Sequence, residues 1–380
     1  MRIRTNPRLP VLFLLLMLFA ASVVSAAETP KNVVLMIGDG MGVAHLSLTR
    51  ISETGGREKL NIDSMPIGGF ARTYSADSLI TDSAAAATAL ASGCKTKNGM
   101  ISTTPDGTPI PTILEILQKK GLSTGLVTTT TITHATPAGF GAHTSSRGDE
   151  SDIAPQYIDK KIDVLLGGGR AFFIPRGEPR SMRKDSRNLI LEAKSAGYQT
   201  VETKDQLMAL KGGRVLGLFQ MGHLTTNASE PSLAEMTGVA LELLAKRDKG
   251  FFLMVEGGQI DFAAHANSAD GVVKQVAGFD DAVGRVLQFA RQRGDTLVIV
   301  TADHETGGLS LCYPEKNSGR RFAAKWGAMG HSASDVPVFA EGPGSLKFSG
   351  LQNNTDIPKK ISQLFNARGL TAVQTLHSVQ

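Results

Sequence analysis

Seven short apolar runs rich in β-branched residues punctuate the chain: Asn32–Ile37, Gly125–Thr131, Ile162–Leu166, Val215–Phe219, Phe251–Val255, Leu297–Val300 and Val336–Ala340. Amphipathic stretches lie between several of them, and strands that alternate with helices build an α/β fold. The expected architecture is a mostly parallel central sheet with helices on both faces. The clearest helices are Thr112–Lys120, ended by Gly121, Leu233–Lys246, ended before Gly250, and Val272–Arg293, ended by Gly294. The least patterned stretch, Arg147 to Glu230, reads as a cap or excursion with Gly167, Gly168 and Gly169 as a turn. With 380 residues, 41% of them hydrophobic, the chain can bury a large core as one domain.

The first residues have a different character. Arg2, Arg4 and Arg8 precede an apolar run from Val11 to Val24 and the small residues Ser25, Ala26 and Ala27. This is the pattern of a secretory signal peptide over residues 1–26, cleaved after Ala26 or Ala27, which leaves one domain over 28–380 in the periplasm or outside the cell. Removing three arginines and no acids takes the formal charge from +5 to +2, so the basic balance says little about partners. No later segment reads as a membrane span, and no basic patch interleaved with aromatics suggests a nucleic-acid partner. The two cysteines, Cys94 and Cys312, lie in no CxxC pattern, and in an exported chain they can form one disulfide.

Several apolar runs pass directly into polar or glycine-rich turns: Gly38-Asp39-Gly40, Glu256-Gly257-Gly258 and Thr301-Ala302-Asp303-His304. In parallel sheets ligands gather outside the carboxyl ends of strands. Asp39, Asp303 and His304 therefore offer oxygen and nitrogen donors for a divalent cation, although a solvated turn accounts for any one of them. Asp261 and His265 are four apart, which on a helix places both on one face, and His331 can complete a zinc site with one position left open. A surface helix pair explains Asp261 and His265 equally well in isolation. Finally, Asp82 and Ser83 begin the alanine-rich run Ala84–Ala89, where helix N–H groups favour a phosphate, while either residue also serves as an ordinary cap.

Taken together, these segments resemble the alkaline phosphatases. The resemblance rests on Asn32–Gly42, on Thr81-Asp82-Ser83-Ala84-Ala85, and on His134-Ala135-Thr136-Pro137 followed by Arg147. It continues through Val255-Glu256-Gly257-Gly258 with Asp261 and His265, Thr301-Ala302-Asp303-His304, and Gly330-His331. It implies a phosphomonoesterase in which Ser83 is the nucleophile, Arg147 clamps phosphate, and two zinc ions and one magnesium ion are bound. Asp261, His265 and His331 would hold the first zinc, and Asp39, Asp303 and His304 the second. Asp39, Thr136 and Glu256 would hold the magnesium, with His134 beside it.

Three departures from that pattern carry expectations. Phe262 follows Asp261 where relatives carry a basic or polar side chain, which implies weaker phosphate affinity. His134 replaces an aspartate of the enterobacterial type, which implies weaker magnesium binding. Only Glu305–Gly330 separates two metal motifs, a reduced crown insertion that leaves a monomer and a homodimer both open. The competing readings are a phosphodiesterase or sulfatase of the same superfamily and, more remotely, a periplasmic phosphate-binding protein. His45, His143, His223 and His377 fit no ligand pattern.

Overall fold

The computed structural model describes residues 29–56, 59–314 and 322–370. The proposed leader and His377 lie outside them. Among the described residues fourteen strands form: β1 Asn32–Gly38, β2 Ile67–Arg72, β3 Ser123–Thr131, β4 Val164–Gly168, β5 Tyr198–Val201, β6 Arg214–Leu218 and β7 Phe251–Gly257, followed by β8 Thr296–Thr301, β9 Glu305–Thr306, β10 Ser310–Cys312, β11 Ala323–Lys325, β12 His331–Ser332, β13 Val336–Glu341 and β14 Gly350–Asn353. Ten of them make one sheet in the order β14-β2-β13-β8-β1-β7-β3-β4-β6-β5. Pairing is parallel except at β13, which runs antiparallel to both β2 and β8. Every residue of β1, β3, β7 and β8 is buried. A strand buried at every position is covered on both faces, so helices flank the sheet on both sides, as the run composition implies.

The three expected helices form, with ends set by local chemistry. Ile113–Lys119 starts after Thr112, whose hydroxyl accepts from the Glu115 N–H while Glu115 accepts from the Thr112 N–H, a reciprocal capping box. Ser232 and Glu235 do the same for Leu233–Leu244. The long helix begins earlier than its apolar pattern, at Ala269 after the cap Ser268, and ends at Arg293 before Gly294, which takes the left-handed conformation at φ 71°.

Arg147–Glu230 is not an excursion. It supplies β4, β5 and β6, one flank of the main sheet, together with helices Glu150–Asp159, Leu189–Ser195 and Lys204–Met208. The turn expected at Gly167–Gly169 is displaced: Gly167 and Gly168 are strand residues, and only Gly169 turns out of the sheet, at φ 91°. Gly168 is required by close approach, since a Cβ there would sit 2.0 Å from the Gly222 carbonyl oxygen. Cys94 is buried and Cys312 exposed. No helix among the described residues is long and apolar enough to cross a membrane.

Adjacent parallel strands in register bring their carboxyl ends to one edge. Gly38 pairs with Gly257, Ile37 with Thr301 and Thr128 with Glu256. The residues that follow β8, β1 and β3, and Glu256 near the end of β7, therefore meet across the middle of the sheet.

Candidate metal centre

Asp39 follows β1 immediately and is fully buried, and neither of its carboxylate oxygens has a hydrogen-bond partner among the described residues. Asp303, just past β8, uses Oδ1 to accept from the backbone N–H of Gly40 at 3.1 Å and of His304 at 2.9 Å, while its Oδ2 is buried without a partner. His304 Nε2 stands 3.2 Å from that Oδ2 and 3.5 Å from Asp39 Oδ1. The three donors lie close enough together to grip one cation.

Ser83 is the first residue of helix Ser83–Ser92 and almost fully buried. Asp82 is the cap, accepting from the Ala85 N–H at 2.9 Å, so cap and candidate nucleophile are neighbours and not alternatives. Ser83 Oγ lies 3.2 Å from His304 Nε2. Arg147 reaches the same point: its guanidinium donates to Asp82 Oδ2 at 3.0 Å and to His134 Nε2 at 3.1 Å.

The helix Gln259–His265 places Asp261 and His265 one turn apart, with Asp261 Oδ2 3.3 Å from His265 Nε2. His331 joins them from β12, its Nε2 3.2 Å from His265 Nε2 and 3.7 Å from Asp261 Oδ1. Two imidazole nitrogens at that separation suit a shared cation. His304 stacks on His331 with ring centroids 3.6 Å apart, so the two groups of donors abut, and Asp261, His304 and His331 also converge. A third group joins Asp39, His134 and Glu256. Glu256 Oε2 accepts from the hydroxyls of Thr128 and Thr130, whereas Glu256 Oε1, Thr136 Oγ1 and His134 Nδ1 are buried without partners among the described residues.

The electrostatics show what is missing. Burial pushes Asp39 well above the usual carboxylate range, and the neighbouring charges of Asp303, Asp261 and Glu256 push it further. Burial raises Glu256 to about 7 and Asp303 to about 6. Burial lowers His304 to about 4 and His134 to about 3, which keeps both rings neutral; His304 can then bind a cation through nitrogen, while His134 Nε2 accepts from Arg147. Asp261 is the exception: burial, the largest single influence, opposes its charge, but the hydrogen bond to His265, the charges of His304 and His265 and the Thr306 hydroxyl together outweigh it and hold it low, and the His265 bond raises His265 to about 9. Four carboxylates thus crowd a space where the nearby charge of Arg147 lowers Asp39 only in part.

Every residue singled out in the sequence is at this edge: Asp39, Ser83, His134, Thr136, Arg147, Glu256, Asp261, His265, Asp303, His304 and His331. Two residues were missed. His223 is not an isolated histidine: its ring lies 5.5 Å from that of His134 and 5.0 Å from Phe262, and its Nδ1 accepts from the Thr131 N–H at 2.9 Å. Thr306, two residues after His304, is buried against Asp261 and His304. A lone threonine beside a metal motif carries no spacing signal, and His223 belongs to a loop whose path the sequence does not specify.

The chain is similar to known proteins over most of its length. A sequence model of the alkaline phosphatase family matches residues 30–320 and 313–367. Alkaline phosphatase 4 of Bacillus subtilis is 38% identical over 86% of this chain and 87% of its own length. The structure of alkaline phosphatase from the Antarctic bacterium TAB5 is similar at a TM-score of 0.82 and 35% identity, covering 90% of this chain and 99% of that one. A variant of that enzyme with histidine changed to aspartate, carrying magnesium in its M3 site, is similar at a TM-score of 0.81 and 35% identity, with the same coverage. Matched over most of its length in sequence and in structure, the chain belongs to the alkaline phosphatase family and is a phosphoric monoester hydrolase.

Proposed function

We propose that this enzyme cleaves phosphate monoesters through a phosphorylated Ser83 at a site holding two zinc ions and one magnesium ion. The observation that carries the reading is the set of buried oxygens with no hydrogen-bond partner among the described residues: both of Asp39, Oδ2 of Asp303 and Oε1 of Glu256. Burying ionised oxygens without partners costs several kcal/mol each, so a fold that gathers them is built around cations supplied from outside. The donor chemistry fits the metals. Asp261, His265 and His331 offer the nitrogen-rich set that suits zinc, and Asp39, Asp303 and His304 a set of two oxygens and one nitrogen that zinc also accepts. Asp39, Glu256 and Thr136 offer only oxygen, which suits magnesium, with His134 beside them.

Cations held there would supply the positive charge that lets Ser83 lose its proton and that offsets charge on the phosphoryl oxygens. The residues of the chain do the rest. Ser83 Oγ attacks phosphorus, the bond to the ester oxygen breaks, and the alcohol departs on the side of Asp261, His265 and His331. Arg147, steadied by Asp82 and His134, presents its remaining N–H groups as a planar fork to two non-bridging oxygens. The N–H groups opening helix Ser83–Ser92 add to that field. Water, giving up a proton, then attacks the phosphoserine from the face the alcohol left, the Ser83 Oγ–P bond breaks to free phosphate, and the Ser83 oxygen takes a proton back, so two inversions give net retention. Phe262 packs edge-on to His134 and His223 and brings no charge to the phosphate, in keeping with weak product binding. The apolar leader makes it an exported enzyme.

One purified preparation tests the whole reading. About two zinc ions per chain, release of alcohol from nitrophenyl phosphate far faster than from its bis-ester or its sulfate, and a radiolabelled serine trapped on acid quenching support it. A preference for the diester or sulfate, or tight phosphate binding by a metal-free and inactive protein, overturns it.

A further inference from the structure

Thr306 touches both groups of donors in the metal centre. Its N–H donates to the carbonyl of Gly40, the residue after Asp39, at 3.1 Å. Its backbone pairs with His331 across β9 and β12. Its hydroxyl donates to Asp261 Oδ1 at 2.5 Å and lies 3.2 Å from His304 Nδ1. The packing leaves no slack: a Cβ added to Gly40 would lie 2.8 Å from Thr306 Oγ1 and 2.9 Å from Asp261 Oδ1.

Proton counting orders these contacts. A carboxylate held ionised only accepts, so the single hydroxyl proton of Thr306 goes to Asp261. The hydroxyl oxygen is then an acceptor toward His304, which must carry its ring proton on Nδ1. That fixes Nε2 as the lone-pair nitrogen, and Nε2 is the atom facing Ser83, Asp39 and Asp303. One hydroxyl therefore orients a donor in each of the two proposed zinc sites, Asp261 in the first and His304 in the second.

From this geometry we infer that Thr306 is the positioning residue that couples the two zinc sites, so that filling one favours filling the other. The inference rests on the two-zinc reading above. Thr306→Val keeps the shape and removes the hydroxyl, and Thr306→Ser keeps the hydroxyl. Zinc affinity is measured on the purified, metal-stripped full chain by competition with a chromophoric chelator, alongside the melting temperature of each metal-free protein. The expected result is that Thr306→Val binds zinc about 10–100-fold more weakly at both sites and loses the cooperativity of the parent. Thr306→Ser keeps both, and the three metal-free proteins melt together. The coupling is overturned if Thr306→Val fills two sites with the parent's affinity and cooperativity, or if its weaker binding is matched by an equal loss of metal-free stability. A parent chain that takes up no zinc at all would instead refute the metal reading and leave parent and variants alike.

Discussion

Carboxylates in two regions of this molecule, one half-buried and one fully buried, are treated in opposite ways. Glu115, near the start of helix Ile113–Lys119, is answered inside the protein: His143 Nε2 lies 2.9 Å away, Lys160 Nζ 2.7 Å, and the Thr112 N–H donates to its other oxygen at 3.0 Å. Burial works against its charge, yet the His143 and Lys160 partners outweigh burial and bring it down to about 2. Asp39, Asp303 and Glu256 are more deeply buried, stand together, and are pushed the other way. The contrast separates structure from function in physical terms. A carboxylate that the chain itself neutralises holds helices together, whereas one left without a counter-charge waits for a ligand.

The largest effect expected from that contrast is on turnover. Ser83→Ala, fully metallated, should lose at least ~10³-fold in kcat, since removing a nucleophile forfeits most of the catalysis that acts through it. Single-turnover measurements check this, and unchanged metal content shows that the loss is chemical. Next in size is a pair of opposite stability effects. In metal-free protein at alkaline pH, Asp39→Asn removes one of the crowded charges and should raise stability by about 1 kcal/mol, although it destroys activity. Glu115→Gln should do the reverse, costing about 2–3 kcal/mol by leaving Lys160 beside a neutral amide while activity per folded molecule stays near that of the parent. Urea unfolding of both variants decides the matter: equal signs for the two changes would erase the distinction drawn here.

The sequence makes the middle of the sheet readable and its flanks much less so. β1, β3, β7 and β8 are buried at every residue, so their composition alone marks them. β2 carries two glycines over six residues and faces solvent at several, because Gly69 must let the Gly350 backbone pass: a Cβ there would lie 2.4 Å from the Gly350 carbonyl oxygen. β5 and β14 have four residues each, too few for a period to show. The site divides along similar lines. Asp39, Asp303 and His304 follow strands directly, so topology alone brings them together, and Asp261 and His265 share a helix turn. Thr306 and His223 became visible only in three dimensions, because their importance lies in what they touch. For Thr306 that is a ligand 45 positions away.

The smallest effect is on pH dependence, and it comes from the balanced cluster. Glu115 stands at about 2 in the folded chain against an ordinary value of 4.5. A depressed carboxyl stabilises the fold above its unfolded value and loses that contribution as pH falls, so the Glu115 share is complete above about 4.5 and fades toward 2. Lys160 is a cation throughout this acid window, and protonating Glu115 leaves it facing a neutral group. The unfolding midpoint of metal-free protein should therefore fall between pH 6 and pH 3 more steeply for the parent than for Glu115→Gln, with the gap between them narrowing on the acid side. Comparing the two chains subtracts the titration of the metal centre, which both share. Parallel curves would mean that Glu115 is not held down by its partners, and the difference between the two buried clusters would then be one of position alone.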